Sequence, residues 1–374
     1  MSKGNTKTIP LGVQVFDEEM EQAALNALRH ERFVAGEDVF KFEEEFARYN
    51  GTKFAVSTSS GTNALQIALL ALGVPASCEI ITSAYSFVAS ANVVLQAGAS
   101  PVFADAAEDF TIDPAEVRRK VTERTRALLP VHLYGYPCKM REICDVAEDH
   151  GLKVVEDACQ AHGAEYNGRK AGAIGDVGCF SFYPSKNMTV GGDGGMIITN
   201  DEDAAKLAAK LRDCGRKSQY EHDVVGYTSR LNTVNAAIGR VQLRRLDEWN
   251  RRRREVASLY DEFLSGIAGL ELPPKGDSRV KPVYHLYVVR TKRRDALRGW
   301  LQKNGVQSGV HYPLPIPLQP VYRQMFGYTS GEYPISERLS RMCLSLPIYP
   351  SLSEDNLRYV CSKIREFFER KTKN

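Results

Sequence analysis

No stretch of this 374-residue chain approaches the twenty or so uninterrupted apolar residues of a membrane-spanning helix, so an integral helical membrane protein is excluded. The opening MSKGNTKTIPLG has lysines but no apolar segment or small-residue cleavage site behind them. No secretory leader is read there, and a cytoplasmic location is expected. The eight cysteines include no CxxC pair and several lie in apolar runs, which favours reduced, buried thiols. Nothing calls for a metal. A net charge of +3 is close to balance at this length and gives no reason to invoke nucleic acid. The basic run Arg251 to Arg254 is the local exception. It sits among Val234, Ile238, Val241, Leu246, Trp249, Val256, Leu259 and Phe263, which recur every three or four residues, so a solvated helix face is the preferred reading. Internal repeats and low-complexity segments are also missing.

What is present is alternation. From Lys53 onward, strand-like KFAVSTS, EIITSA, SPVFAD, TRALLP and KVVEDA alternate with helical NALQIALLALG, SFVASANVVLQAG, DPAEVRRKV and KMREICDVAEDHG. Units of this kind imply an α/β fold with a mainly parallel sheet covered on both faces. Two further strand-like runs, VGCFSFY and GGMIITN, precede a long helical stretch to about Phe263. The pattern then restarts with PVYHLYVVRT, RRDALRGWLQKNG and the Pro-rich VHYPLPIPLQPVY. We expect a large domain over 1–264, which includes an N-terminal amphipathic helical segment, and a smaller C-terminal α/β domain over 265–374.

Four features carry chemistry. Ser59-Ser60-Gly61-Thr62 follows a strand and opens a helix, where backbone N–H groups of small residues can hold a phosphate; a plain helix cap is the alternative. Asp157 ends an apolar strand, where ligands of open α/β sheets gather, and an acid there can pair with a protonated pyridine nitrogen. Its alternative role is to cap a helix over DACQAHG. Lys186, in SFYPSKNMTVGGDGG, is placed to lose its charge by desolvation and form a Schiff base with an aldehyde, and the glycines after it leave room for a cofactor. Phe87, in AYSFVAS, is a candidate for stacking on a cofactor ring or for simple core packing.

SSGTNAL, SFVAS, PVHLYG, EDACQAHGA, GDVGCFSFYPSKN, GDGGMIITND, SRLNTVNAAIGRVQL and LSLPIYP occur in that order, and with them the chain resembles the DegT/DnrJ/EryC1/StrS sugar aminotransferases over nearly its whole length. The resemblance implies a fold-type-I aminotransferase that uses pyridoxal 5'-phosphate (PLP), with pyridoxamine 5'-phosphate as its intermediate form. It implies a homodimer with shared active sites, acting on a nucleotide-linked keto-sugar and L-glutamate, with no nucleic acid or membrane partner.

Residue by residue, it implies that Lys186 is the Schiff-base lysine and Asp157 the pyridine-nitrogen partner. Gln160 would approach the ring hydroxyl, Ser60, Gly61 and Ser181 the phosphate, and Phe87 the ring. Thr228 stands where the family usually has an asparagine that reaches the neighbouring subunit's phosphate, and Arg230 follows it. Tyr183, His311 and Tyr312 offer hydroxyls and an imidazole for the sugar and nucleotide, with Lys217 a further candidate for the diphosphate.

In GDGG, Ser229-Arg230-Leu231 and His311 to Pro315 the chain resembles the family members that aminate a 3-keto sugar more than those that aminate a 4-keto sugar. Pro317 and Met188-Thr189 speak for carbon 4, which is the alternative. A sugar dehydratase on this scaffold would carry histidine at position 186. A nicotinamide dehydrogenase is opposed by the missing GxGxxG after the first strand, because Gly191 to Gly195 precede a strand. A non-catalytic regulator has only Arg251 to Arg254 in its favour.

Overall fold

The computed structural model describes residues 8–370; the first seven residues, part of the segment read for a leader, lie outside it. Two amphipathic helices, α1 (Glu18–His30) and α2 (Glu37–Asn50), open the chain. Then β1 (Phe54–Thr58), α3 (Gly61–Ala71), β2 (Glu79–Ser83), α4 (Ala89–Gln96), β3 (Ser100–Ala104), α5 (Pro114–Lys120), β4 (Thr125–Leu129), α6 (Met140–His150) and β5 (Lys153–Asp157) alternate strictly. A small ribbon, β6 (Glu165–Tyr166) and β7 (Arg169–Lys170), precedes β8 (Val177–Ser181), β9 (Gly195–Thr199) and α7 (Glu202–Leu211). Helix α8 (Thr233–Leu264) then runs for 32 residues.

The main sheet has seven strands in the order β1-β9-β8-β5-β4-β2-β3. Neighbours from β3 through β8 are parallel, and β9 runs antiparallel to both β8 and β1. This is the mainly parallel, helix-flanked α/β sheet expected from the alternation. Its central strands are apolar on both faces because both are covered, as in Val154, Val155, Cys179 and Ile197, which are 3 % exposed or less. Helix α3 is buried along most of its length through Ala64, Leu65, Ile67, Ala68 and Leu69, which explains its apolar composition all round. One consequence places the site. The carboxyl ends of β1, β2, β4, β5 and β8 lie along one edge of the sheet, so the segments that follow them converge there.

Beyond α8, β10 (Val280–Lys281) pairs with β6, and β11 (Tyr287–Arg290), α9 (Arg294–Lys303), α10 (Pro320–Phe326), α11 (Pro334–Met342), β12 (Cys343–Leu346) and α12 (Glu354–Glu369) follow. Strands β11 and β12 form an antiparallel pair. Their cluster of buried residues, with Leu297, Leu301, Leu357 and Ile364, also takes in Ile9 and the end of α8 through Val256, Ala257, Tyr260 and Leu264. The first part of α8 packs instead with the main-sheet core through Ala236, Leu243 and Leu246, so this helix ties the two cores together.

Two details depart from the sequence reading. DACQAHG forms turns, not a helix, so Asp157 has no helix to cap. Within the basic run, Arg251 and Arg252 pair with Glu248 and Glu255 on the solvated face, but Arg253 is buried at 6 % exposure. The eight cysteines are all free thiols. Among the described residues no helix is long and apolar enough to cross a membrane.

Candidate active site

Lys186 lies in the loop between β8 and β9, and three anchors hold that loop. Phe182 is fully buried among Phe42, Phe46 and the His162 ring, with ring centroids 5.3, 5.5 and 5.8 Å away. Aromatic pairs of this geometry contribute about 0.5 to 1.5 kcal/mol each beyond area burial. Asn187 donates from Nδ2 to Asn250 Oδ1 at 2.8 Å and to the Val283 carbonyl at 3.0 Å. The Thr189 N–H donates to Gln242 Oε1 at 2.8 Å. Helix α8, which supplies Asn250 and Gln242, therefore fixes the backbone on the C-terminal side of the lysine, and the Phe182 cluster fixes it on the other side. Burial pushes the Lys186 amine below its ordinary value, against the opposing pull of Cys159 and Asp157.

Asp157 ends β5 and is 5 % exposed. Its Oδ2 accepts from the Ser90 hydroxyl at 2.8 Å and its Oδ1 from the Cys159 N–H at 3.1 Å, so both oxygens are oriented. The preceding residue, Glu156, points the other way and accepts from His132 Nε2 and from the N–H groups of Gly172, Ile174 and Gly175. Burial opposes its charge, yet these donors hold its carboxyl below the ordinary range. Alternation along one strand thus sends Glu156 to a structural network and Asp157 to the opposite face, toward Ser90 and Cys159.

Ser60 caps α3, its hydroxyl accepting from the Asn63 N–H at 3.1 Å, which is the cap reading of the SSGT motif. The same geometry leaves the first turn of α3, at Gly61 and Thr62, facing the end of β8. A Cβ on Gly61 would lie 2.5 Å from the Ser181 Cβ and 2.8 Å from Cys159 Sγ, so only glycine permits this approach. The glycines after Lys186 serve protein packing: a Cβ on Gly195 would lie 2.3 Å from the Ser60 carbonyl oxygen. Gln160 accepts the Tyr134 N–H at 2.8 Å and donates to the Tyr312 hydroxyl at 3.0 Å. Phe87, 53 % exposed, has its ring centroid 5.9 Å from that of Tyr312. His311 Nδ1 sits 2.9 Å from the Ser345 hydroxyl.

Tyr183, Lys186, His311 and Tyr312 line one cleft, with a cavity of about 420 Å³, between the main sheet and the C-terminal elements. Lys217, Thr228 and Arg230 do not line it within a single chain. Lys217 pairs with Glu221, Arg230 with Asp213, and the Thr228 hydroxyl lies 3.3 Å from Cys214 Sγ. Ser229, between Thr228 and Arg230, approaches Ser59 and Asn63 at the start of α3.

The residues present fit a PLP-type group. A buried amine, a fixed carboxylate, a helix N-terminus with a glycine at its first turn, and an exposed aromatic ring share one sheet edge.

A model of the "DegT/DnrJ/EryC1/StrS aminotransferase family" matches residues 14–365. The chain belongs to this family. It is 43% identical over 343 residues to a "Pleiotropic regulatory protein" of Geobacillus stearothermophilus, covering 91% of this chain and 92% of that one. It is 42% identical over 353 residues to a "dTDP-3-amino-3,4,6-trideoxy-alpha-D-glucose transaminase" of Streptomyces venezuelae, covering 94% and 93%. Among solved structures it resembles S. venezuelae DesV "in complex with ketimine intermediate", with a TM-score of 0.94, 40% identity and coverage of 98% and 100%.

Ser90 and Tyr134 were not singled out in the sequence, and Arg253 was read there only as part of a solvated run. Ser90 lies within the quoted SFVAS, but a neutral hydroxyl whose partner is 67 positions away leaves no local signal. Arg253 was recoverable: it shares one helical stripe with Trp249, Val256, Ala257 and Tyr260.

Proposed function

We propose that this protein is a PLP-dependent aminotransferase that moves an amino group from L-glutamate to carbon 3 of a nucleotide-linked keto-sugar, in the cytoplasm, as a homodimer. One observation carries the reading: the Lys186 amine, its charge disfavoured by burial, is within electrostatic reach of the oriented carboxylate of Asp157 at the carboxyl edge of the sheet. The cofactor supplies a carbonyl carbon for the amine and a ring that accepts electrons when the substrate carbon loses its proton.

The chain's own residues divide the rest. Asp157 keeps a proton on the ring nitrogen, and the Ser90 hydroxyl and Cys159 N–H keep Asp157 aimed. Lys186 Nζ would carry the proton from the donor carbon next to nitrogen to the cofactor's carbon, and in the second half-reaction carry one from that carbon to the sugar carbon that receives the amine. Ser60, Gly61, Thr62 and Ser181 hold the phosphate, Gln160 meets the ring hydroxyl and Phe87 covers the ring. Tyr183, His311 and Tyr312 orient the sugar nucleotide, and residues 265–374 act as the smaller domain that closes the cleft. Lys217, Thr228 and Arg230 serve the other subunit's site across the dimer interface.

The activity named for the Streptomyces relative supports carbon 3, as do GDGG and Ser229-Arg230-Leu231. A dehydratase is opposed by the lysine at position 186. A regulator without catalysis has no use for an amine and a carboxylate so placed. Glutamate offered with matched 3-keto and 4-keto nucleotide sugars, with product identification, tests the reading. Amination at carbon 3 is expected; amination confined to carbon 4 overturns the regiochemistry, and no amination of either overturns the function.

A further inference from the structure

The floor of the cleft holds more buried hydrogen-bonding capacity than the chain uses. Arg253 lines it at 6 % exposure, and no carboxylate among the described residues pairs with it. Its Nη1 donates to the carbonyls of Tyr284, His285 and Ile348 at 3.2, 3.4 and 3.2 Å, while its Nε has no partner. Nearby on the same cleft, the Thr189 hydroxyl, His285 Nδ1 and Asn187 Oδ1 are also buried without partners. Native chains rarely leave several polar groups unsatisfied around one cavity, and a buried guanidinium without a counter-ion is costly. Arg251 and Arg252, in the same run, both have carboxylate partners, so acids were within reach of the helix and none faces inward.

The missing partner is an anion. Burial draws the Arg253 guanidinium down only to about 10, so it remains a cation near neutral pH. Arg253 and Lys186 are the two cationic side chains of the cleft, and burial keeps His285 and His311 neutral. Lys186 is committed to the chemistry, which leaves one guanidinium for one compact anion. A carboxylate matches the planar fork and the single charge, whereas a diphosphate carries more charge than one guanidinium offsets. Val13, Val15, Trp249 and Ile348 add apolar wall suited to a short aliphatic chain.

We propose that Arg253, with the Thr189 hydroxyl, receives a carboxylate of the amino donor and so sets the enzyme's preference for a dicarboxylic amino acid. This rests on the aminotransferase reading above. The geometry assigns to one buried arginine of the basic run a ligand-binding role that its neighbours do not share.

The test uses purified holoenzyme and titrates glutarate, an unreactive dicarboxylate, and separately thymidine diphosphate, by calorimetry. Arg253→Gln should weaken glutarate about tenfold or more and raise the KM for glutamate in the donor half-reaction. Thymidine diphosphate affinity and the keto-sugar half-reaction should stay within about threefold of wild type, since neither uses this carboxylate site. Unchanged glutarate affinity overturns the proposal, because the arginine is then structural. Loss of thymidine diphosphate binding with glutarate retained also overturns it and gives the anion site to the nucleotide.

Should Arg253→Gln fail to fold, Arg253→Lys and Thr189→Val provide the same reading. Arg253→Lys keeps a charge for the three carbonyls but loses the fork. Both should weaken glutarate, and wild-type affinity in both overturns the proposal. If wild-type enzyme binds glutarate through Arg253 yet aminates no keto-sugar, the function reading fails and this one stands.

Discussion

The Ser90 hydroxyl donates a 2.8 Å hydrogen bond to Oδ2 of Asp157, tying the first turns of α4 to the carboxylate at the end of β5. Because Cys159 occupies the other oxygen, the acid has little freedom to turn away from the cleft. Aim and charge should therefore be separable by mutation.

Asp157→Asn keeps the shape and loses the charge. It should still bind PLP, with turnover lower by about 10² to 10³, the usual scale for one electrostatic partner at a reacting centre. Ser90→Ala keeps the charge and loses one support, so a fall of about tenfold is expected, in kcat with little change in KM. Steady-state kinetics with cofactor absorbance as the occupancy check will measure both. Near-normal turnover in Asp157→Asn would leave the carboxylate only a structural role, in its bonds to Ser90 and Cys159.

Sharing of sites across a dimer has its own test. Thr228 and Arg230 lie outside the cleft in one chain, on either side of Ser229, which meets Ser59 and Asn63 at the start of α3. An inactive Lys186→Ala protein mixed and refolded with an inactive Arg230→Ala protein should regain up to about a quarter of wild-type activity, since heterodimers carry one intact site. Absence of any recovery would contradict sharing through Arg230.

Acid stability should report on His162. Burial, then the charge of Lys186, hold this imidazole down to about 3 from the ordinary 6.5, against the weaker opposing effect of a backbone hydrogen bond at Ser181. Between those values the unfolded chain binds a proton that the folded chain refuses, so stability falls as pH drops, by up to about 1.4 kcal/mol per pH unit from this one group. His162→Phe should flatten that dependence, because a phenyl ring can rest on Phe180 and Phe182 as the imidazole does. Urea midpoints at about pH 7.5 and about pH 5 will show it; equal pH sensitivity in both proteins would count against His162 as a source.

How much of this was legible varied with the range of the interactions. The alternating strands and helices were readable because each depends on its own apolar pattern, and the parallel sheet follows from that order. Lys186 and Asp157 could be singled out as candidates because one follows a strand and the other ends one, each within a distinctive motif. Arg253 was misread because four consecutive arginines look like one solvated face, although the 3.6-residue period turns one of the four inward. The turn at Asp157 replaced a helix because its carboxylate captures the Cys159 N–H two residues on, a local competitor to helical bonding. Ser90 and Tyr134 reach the site only through the order of strands in the sheet, which no local pattern encodes.

The central claim is that Lys186 alone among the lysines holds the cofactor and moves the proton. Borohydride reduction of the holoenzyme followed by peptide mapping tests it directly. Label is expected on Lys186 only, with an unlabelled, inactive Lys186→Ala protein. Label on Lys170, Lys217 or any other lysine, or turnover surviving in Lys186→Ala, would contradict it.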